Sequence, residues 1–123
     1  MGIRMIALDL DGTLLGADGR VSARNLAALM AAEEAGIYVA IATGRRHCYA
    51  LHVLRGLGLA DETILVSSNG AVVRDFASAL IERTLMETAT AEWLCGHLGE
   101  FRNALVVTFD RVQPDVTPHS PMT

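Results

Sequence analysis

The chain has 123 residues, of which 51% are hydrophobic and 5% aromatic, and its net charge is −4. This length allows one ordinary domain, and the acidic balance argues against nucleic acid as a partner. No apolar run reaches the roughly 18 residues of a membrane span, and Asp9 interrupts the first run before a signal peptide could form. Two widely separated cysteines, Cys48 and Cys95, predict reduced thiols. Composition therefore predicts a cytoplasmic globular protein with no membrane partner.

The first half of the chain alternates between strand and helix patterns. The predicted elements are a strand at Ile3–Asp9, a helix from Ser22 to Gly36, a strand at Ile37–Thr43, a helix ending before Gly58, and a strand at Thr63–Ser67. The first strand is an apolar run of the kind that is buried on both faces. This β-α-β-α-β order predicts parallel strands, right-handed crossovers and a ligand site at the carboxyl ends of the strands.

The pattern changes after Gly70. The segments AVVRD and SALIERT predict a hairpin with its turn near Phe76 and Ala77. A helix is expected from about Thr90 to Leu98 and another strand at Ala104–Asp110. Residues 111–123 hold all three prolines and predict a frayed, disordered tail. The predicted fold class is α/β, a Rossmann-like, mostly parallel sheet with helices on both faces.

Two acids stand at the end of the first strand, in DLDGTLL. Asp9 and Asp11 are two residues apart, so their side chains point the same way and their charges repel unless something compensates them. One carboxylate can attack phosphorus, and the second can give a proton to the leaving alcohol and take one from water. The alternative, a solvated turn, remains open for the two acids alone.

The residues that follow the acids suit a phosphate group. Gly12 allows a sharp turn that brings backbone N–H groups towards phosphate, and Thr13 adds a hydroxyl. A divalent cation would relieve the repulsion between Asp9 and Asp11. Mg²⁺ is the predicted cofactor, since it favours oxygen ligands with substrate phosphate in its shell.

DLDGTLL resembles the first signature of the haloacid dehalogenase-like superfamily, whose members are mostly Mg²⁺-dependent phosphatases and phosphomutases. ATGRR, from Ala42 to Arg46, is similar to the second signature, and SSNGA, from Ser67 to Ala71, resembles the Cof-type subclass with a large α/β cap. The resemblance implies domains at 1–83, the N-terminal part of the core with the hairpin, and at 84–110, an incomplete α/β cap. It also implies that small phosphate monoesters, in particular sugar phosphates, are the substrates.

The resemblance extends to individual residues. It implies that Thr43 holds the transferring phosphoryl group together with Gly44, and that Asn69 and Gly70 contact substrate. Arg45 could contact the substrate phosphate or stand at the start of a helix. Asn69 and Gly70 could equally form an ordinary turn, and Thr43 alone could cap a helix.

Two family features are missing from this sequence. It contains no lysine, so the third signature is absent, and nothing after Asp75 resembles the acidic G-D-x-x-x-D of the fourth. The chain therefore resembles the N-terminal part of a longer protein. The alternative to a phosphatase is a non-catalytic remnant, or a phosphate- or Mg²⁺-binding subunit that needs a partner to supply both signatures. A signalling receiver domain is a more distant alternative with a similar core.

Overall fold

The computed structural model describes residues 2–97, 99 and 105–110. These residues form β1 (Met5–Asp9), α1 (Ala23–Glu34), β2 (Tyr38–Ala42), α2 (His47–Leu54), β3 (Ile64–Ser67), β4 (Val72–Asp75), β5 (Leu80–Arg83) and α3 (Thr88–His97). A short 3₁₀ turn, Ser68–Gly70, connects β3 to β4. The predicted order of strands and helices through the hairpin and the following helix is confirmed.

The strands form one sheet in the order β1-β2-β3-β4-β5. The pairs β1–β2 and β2–β3 are parallel, whereas β4 and β5 form an antiparallel hairpin against β3. Parallel strands joined through α1 and α2, followed by a hairpin, confirm the Rossmann-like α/β class.

The core lies between the central strands and the two helices of the first half. Its most buried side chains are Leu10, Val39, Ile41, Leu54 and Leu65. Helix α1 begins as predicted, because the Ser22 hydroxyl accepts a hydrogen bond from the Asn25 N–H at 3.1 Å. It ends as predicted as well, with Gly36 at a φ of +75° just beyond the C-cap.

The prediction that the first strand is buried on both faces is wrong. Met5, Ala7 and Asp9 are exposed, while Ile6 and Leu8 are half-buried. Within the described residues β1 is the edge strand of the sheet, and only one of its faces is covered by the core. A continuous apolar run shows that a strand could be buried, but the neighbouring elements decide whether it is.

The strand predicted at Ala104–Asp110 is also absent from its described part. Residues 105–110 belong to no strand, and Val106 and Phe109 are largely exposed. A β-strand requires hydrogen bonds to a neighbouring strand. In the part of the chain that the structure describes, residues 105–110 are not paired with any strand of the sheet. The predicted tail, 111–123, and Leu98 of the predicted helix lie outside the described residues.

The chain divides into two compact units, Met1–Leu85 and Met86–Thr123. The first contains the sheet with α1 and α2. The second contains α3, in which the rings of Trp93 and His97 stack 4.7 Å apart. Among the described residues, none of the helices has the length and hydropathy to cross a membrane.

Candidate active site

The parallel register places three strand ends at one edge of the sheet. Asp9 of β1 pairs with Ala42 of β2, and Ala42 pairs with Val66 of β3. The loops that follow are joined by backbone hydrogen bonds, from the Thr43 N–H to the Val66 carbonyl at 2.9 Å and from the Asn69 N–H to the Thr43 carbonyl at 3.2 Å. The three motifs of the sequence therefore form neighbouring loops.

The first loop folds back on the end of β1. The Leu14 N–H donates to the Asp9 carbonyl at 3.2 Å, and the Leu15 N–H donates to the Leu10 carbonyl at 2.8 Å. Gly12 makes this turn possible with a φ of +77°, a conformation that L side chains rarely adopt. Leu14 and Leu15 are buried and anchor the loop, whereas Asp9, Asp11, Gly12 and Thr13 face solvent.

The two predicted catalytic carboxylates have different partners. The Thr13 hydroxyl donates to Asp9 Oδ2 at 3.4 Å, a long hydrogen bond that leaves Asp9 accessible. Asp11 is held by Arg45, whose Nε donates to Oδ2 at 2.9 Å and whose Nη2 donates to Oδ1 at 2.6 Å. These hydrogen bonds to Asp11 raise the pKa of the Arg45 guanidinium above its ordinary value. The compensating charge for Asp11 in this structure is thus an arginine from the second loop.

The second loop is built around Thr43. This side chain is 7% exposed, and its Oγ1 accepts a hydrogen bond from the Arg45 N–H at 3.1 Å. Gly44 lies against Asn69, since a Cβ at position 44 would stand 2.9 Å from Asn69 Oδ1. Glycine at position 44 thereby lets the third loop approach the second closely.

The third loop has an unusual backbone. Ser68, Asn69 and Gly70 have successive φ values of 52°, 56° and 92°. Non-glycine residues in this left-handed region are strained, and such strain is concentrated at functional sites. The Ser68 N–H donates to the Arg45 carbonyl at 2.8 Å, which ties the third loop to the second.

The structure thus brings the predicted residues together in contacting pairs: Asp9 with Thr13, Asp11 with Arg45, Thr43 with Arg45, and Gly44 with Asn69. Gly12 and Gly70 contribute turns in the first and third loops. Sequence reasoning missed Ser68 and the partner of Asp11. The pattern S-S-N-G predicts a turn but does not show which backbone group the turn hydrogen-bonds.

The donor atoms at this edge suit a hard cation only in part. Asp9 and Asp11 offer the oxygen ligands that Mg²⁺ prefers, but both carboxylate oxygens of Asp11 already accept from Arg45. Among the described residues, no group of three or more acids, histidines or cysteines converges on one point. A cavity of about 230 Å³ lies at the opposite end of β2 and β3, beside Tyr38 and Thr63, away from Asp9.

Comparison with known proteins places this chain in a family. The model of the haloacid dehalogenase-like hydrolases matches residues 6–112, so the chain belongs to that family. It is 42% identical over 73 residues to the phosphatase YwpJ of Bacillus subtilis, covering 59% of this chain and 25% of the relative. It is 37% identical over 86 residues to the 5-amino-6-(5-phospho-D-ribitylamino)uracil phosphatase YcsE of Bacillus subtilis, covering 70% of this chain and 34% of the relative.

Solved structures agree with the sequence relatives. A haloacid dehalogenase-like hydrolase from Bacillus subtilis superposes with a TM-score of 0.73 at 35% identity, covering 80% of this chain and 34% of that one. A hydrolase from Plasmodium vivax, described as HAD/COF-like, gives a TM-score of 0.65 at 29% identity, covering 80% and 36%. The predicted family resemblance is confirmed. The chain spans 25% and 34% of the lengths of the two phosphatases.

Proposed function

We propose that this chain carries the nucleophilic half of a Mg²⁺-dependent phosphatase site for small phosphate monoesters, with sugar phosphates as the substrate class. The observation that carries the proposal is the position of Asp9. It is exposed at the carboxyl end of β1, in register with Ala42 and one residue before the level of Thr43. Phosphatase-named relatives support the same reaction class.

In the proposed reaction, a carboxylate oxygen of Asp9 attacks phosphorus as the bond to the alcohol oxygen breaks. Asp11 gives its proton to the leaving alcohol, which departs, and an aspartyl-phosphate remains. Asp11 then takes a proton from water while the oxygen of that water attacks phosphorus. The bond from phosphorus to Asp9 breaks, which releases phosphate and regenerates the Asp9 carboxylate. The Thr43 hydroxyl, with the backbone N–H groups around Gly12, Thr13 and Gly44, holds the phosphoryl oxygens.

The remaining residues orient the substrate. Asn69 and Gly70 border the loop that carries Thr43, so we assign them to contact with the alcohol part of the ester. Asp9 and the backbone carbonyl of Asp11 would hold Mg²⁺, which when bound neutralises charge on the phosphoryl oxygens.

The test is Asp9-dependent hydrolysis. Loss of one electrostatic donor slows catalysis about 100- to 1,000-fold, and this sequence lacks both a lysine and a second acidic motif. If the free-energy costs of the two losses add, this chain hydrolyses para-nitrophenyl phosphate more slowly than an enzyme with both elements, by a factor on the order of 10⁴ to 10⁶. A radiolabelled assay with excess Mg²⁺ detects such rates.

We expect the slow hydrolysis to disappear in Asp9→Asn. Asp18→Asn is the matched control, since Asp18 is also exposed and, among the described residues, accepts from the Arg20 N–H within its own turn. Equal rates in the wild-type chain and in Asp9→Asn would contradict the proposal. A rate of about 1 s⁻¹, within the range of ordinary enzymes, would contradict the estimated slowing.

A second candidate is a subunit whose site is completed by another polypeptide. The observation in its favour is β1, which within the described residues is hydrogen-bonded to a strand on one side only and exposes Met5 and Ala7. An open strand edge beside an acidic site can accept a further strand. This candidate predicts fast hydrolysis only after addition of a lysine-bearing fragment that binds β1, detected as a change in the amide signals of β1.

A further inference from the structure

Arg45 and Asp11 form a two-pronged ion pair at the candidate site. Each carboxylate oxygen accepts from a different guanidinium nitrogen, at 2.6 and 2.9 Å, across 34 positions of sequence. In this arrangement each oxygen of Asp11 already accepts a charge-assisted hydrogen bond from Arg45, with which a leaving alcohol or water would have to compete. The structure therefore shows the proposed acid–base group, Asp11, engaged by Arg45 through both of its oxygens.

Hydrogen bonds on both sides hold the backbone of Arg45, whereas its side chain is partly exposed. Its N–H donates to Thr43 Oγ1 at 3.1 Å, and its carbonyl accepts from the Ser68 N–H at 2.8 Å. The side chains of Arg45 and Asp11 are 38% and 52% exposed. Exposed ion pairs are weak on balance, because water solvates both charges well and the long side chains lose freedom. The guanidinium can thus change partners without any movement of the loop.

A phosphate group at Thr43 would be a competing partner within reach. Arginine forms the same two-pronged hydrogen bonds with phosphate as with carboxylate, and a phosphate monoester dianion carries more charge than a carboxylate. The Arg45 backbone N–H contacts the Thr43 hydroxyl, so the long Arg45 side chain begins beside that hydroxyl and is long enough to turn towards a phosphate bound there.

We propose that Arg45 exchanges partners, holding Asp11 while the site is empty and binding the phosphate group when a monoester is present. The inference rests on the proposed function and adds regulation of the same site. Exchange releases both oxygens of Asp11 from Arg45 when a phosphate group is in place. A ligand without phosphate leaves Asp11 engaged, so Arg45 couples substrate recognition to proton transfer.

The test uses inorganic phosphate as the probe, with excess Mg²⁺ and NMR detection. Dissociation constants come from the amide signals of Gly12 and Thr13, and the side-chain Nε–Hε signal of Arg45 reports its partner. Asp11→Asn removes the carboxylate partner and leaves Arg45 in place. In this background, Arg45→Met should weaken phosphate binding about tenfold, the effect of losing a charge-assisted hydrogen bond.

Arg46→Met in the same D11N background is the matched control. It removes an equal charge from the next residue, whose guanidinium lies 5.8 Å from the ring centre of Tyr49, and we expect less than a twofold loss. In the wild-type chain, phosphate should shift the Arg45 Nε–Hε signal together with Gly12 and Thr13. Equal losses from R45M and R46M would overturn the inference.

The NMR signals also distinguish failure of the partner exchange from failure of the proposed phosphate site. Shifts at Gly12 and Thr13 with an unchanged Arg45 signal would contradict the exchange of partners and leave the proposed phosphate site standing. If Gly12 and Thr13 do not shift at any phosphate concentration, the proposed function fails and the inference fails with it.

Discussion

At the scale of single residues, the candidate site depends on strained backbone as well as on charged side chains. Ser68 and Asn69 both adopt left-handed conformations, and the Ser68 N–H is thereby directed at the Arg45 carbonyl. An L residue in this region is disfavoured by roughly 1–2 kcal/mol, with Asn tolerated better than Ser. The strain is maintained because hydrogen bonds from both residues join the second and third loops.

Replacement of Ser68 tests this strain directly. Glycine removes the penalty at a φ of 52° but adds about 0.5–1 kcal/mol of lost chain entropy. Ser68→Gly should therefore raise the free energy of unfolding by about 0.5–1 kcal/mol in urea denaturation.

The adjacent serine supplies the control. Ser67 is buried, has an ordinary φ of −120°, and donates its hydroxyl to the Val72 carbonyl at 3.0 Å. Ser67→Gly should lower the free energy of unfolding by about 1–2 kcal/mol. If S68G destabilises the chain as much as S67G does, the left-handed backbone is not a source of strain.

At the scale of elements, α1 is held at both of its ends. Ser22 caps its start, and Glu33 near its end accepts hydrogen bonds from the Ala60 N–H at 3.1 Å and from the Thr63 hydroxyl. Thr63 is 2% exposed and directly precedes β3. The helix thus fixes the approach to β3, and through the sheet register it contributes to the placement of the loop after β3.

Removal of the helix cap should reduce stability without changing the site. Ser22→Ala leaves the Asn25 N–H without its capping acceptor and should lower the free energy of unfolding by about 1 kcal/mol. Ser22→Asp keeps an acceptor and should retain most of the stability. Urea denaturation measures both variants, and equal stability of S22A and S22D would show that the cap contributes little. Phosphate binding at Gly12 and Thr13 should be the same in both.

At the scale of the whole molecule, the proposed Mg²⁺ site has few protein ligands among the described residues. Asp9 is accessible, but the Asp11 carboxylate is paired with Arg45, and the described residues offer no third acid at this edge. An octahedral Mg²⁺ ion would take most of its shell from water here.

Weak Mg²⁺ binding is therefore expected from the chain alone. Titration calorimetry should give a dissociation constant in the millimolar range or weaker, about 4 kcal/mol of binding at most. Asp9→Asn should abolish this binding, and Asp18→Asn, outside the site, should leave it unchanged. Micromolar affinity would mean that other groups of this chain complete the metal shell.

Local patterns in the sequence determined the order of elements and most of the candidate site. Ser22 predicts a helix start from its own hydroxyl, Gly36 predicts a helix end from its own backbone freedom, and parallel strand ends predict one shared edge for Asp9, Thr43 and Asn69. Each of these features depends on a few neighbouring residues. The roles assigned to the site residues remain predictions.

Only the tertiary structure decided which distant groups meet and which strands are covered. The Asp11–Arg45 pair joins two loops from different strands, so no spacing in the sequence indicates it. The exposure of β1 and the absence of a strand at residues 105–110 follow from what lies beside them in the described chain, not from their own apolar character. Burial and strand pairing are properties of neighbours in space, which one segment of sequence does not specify.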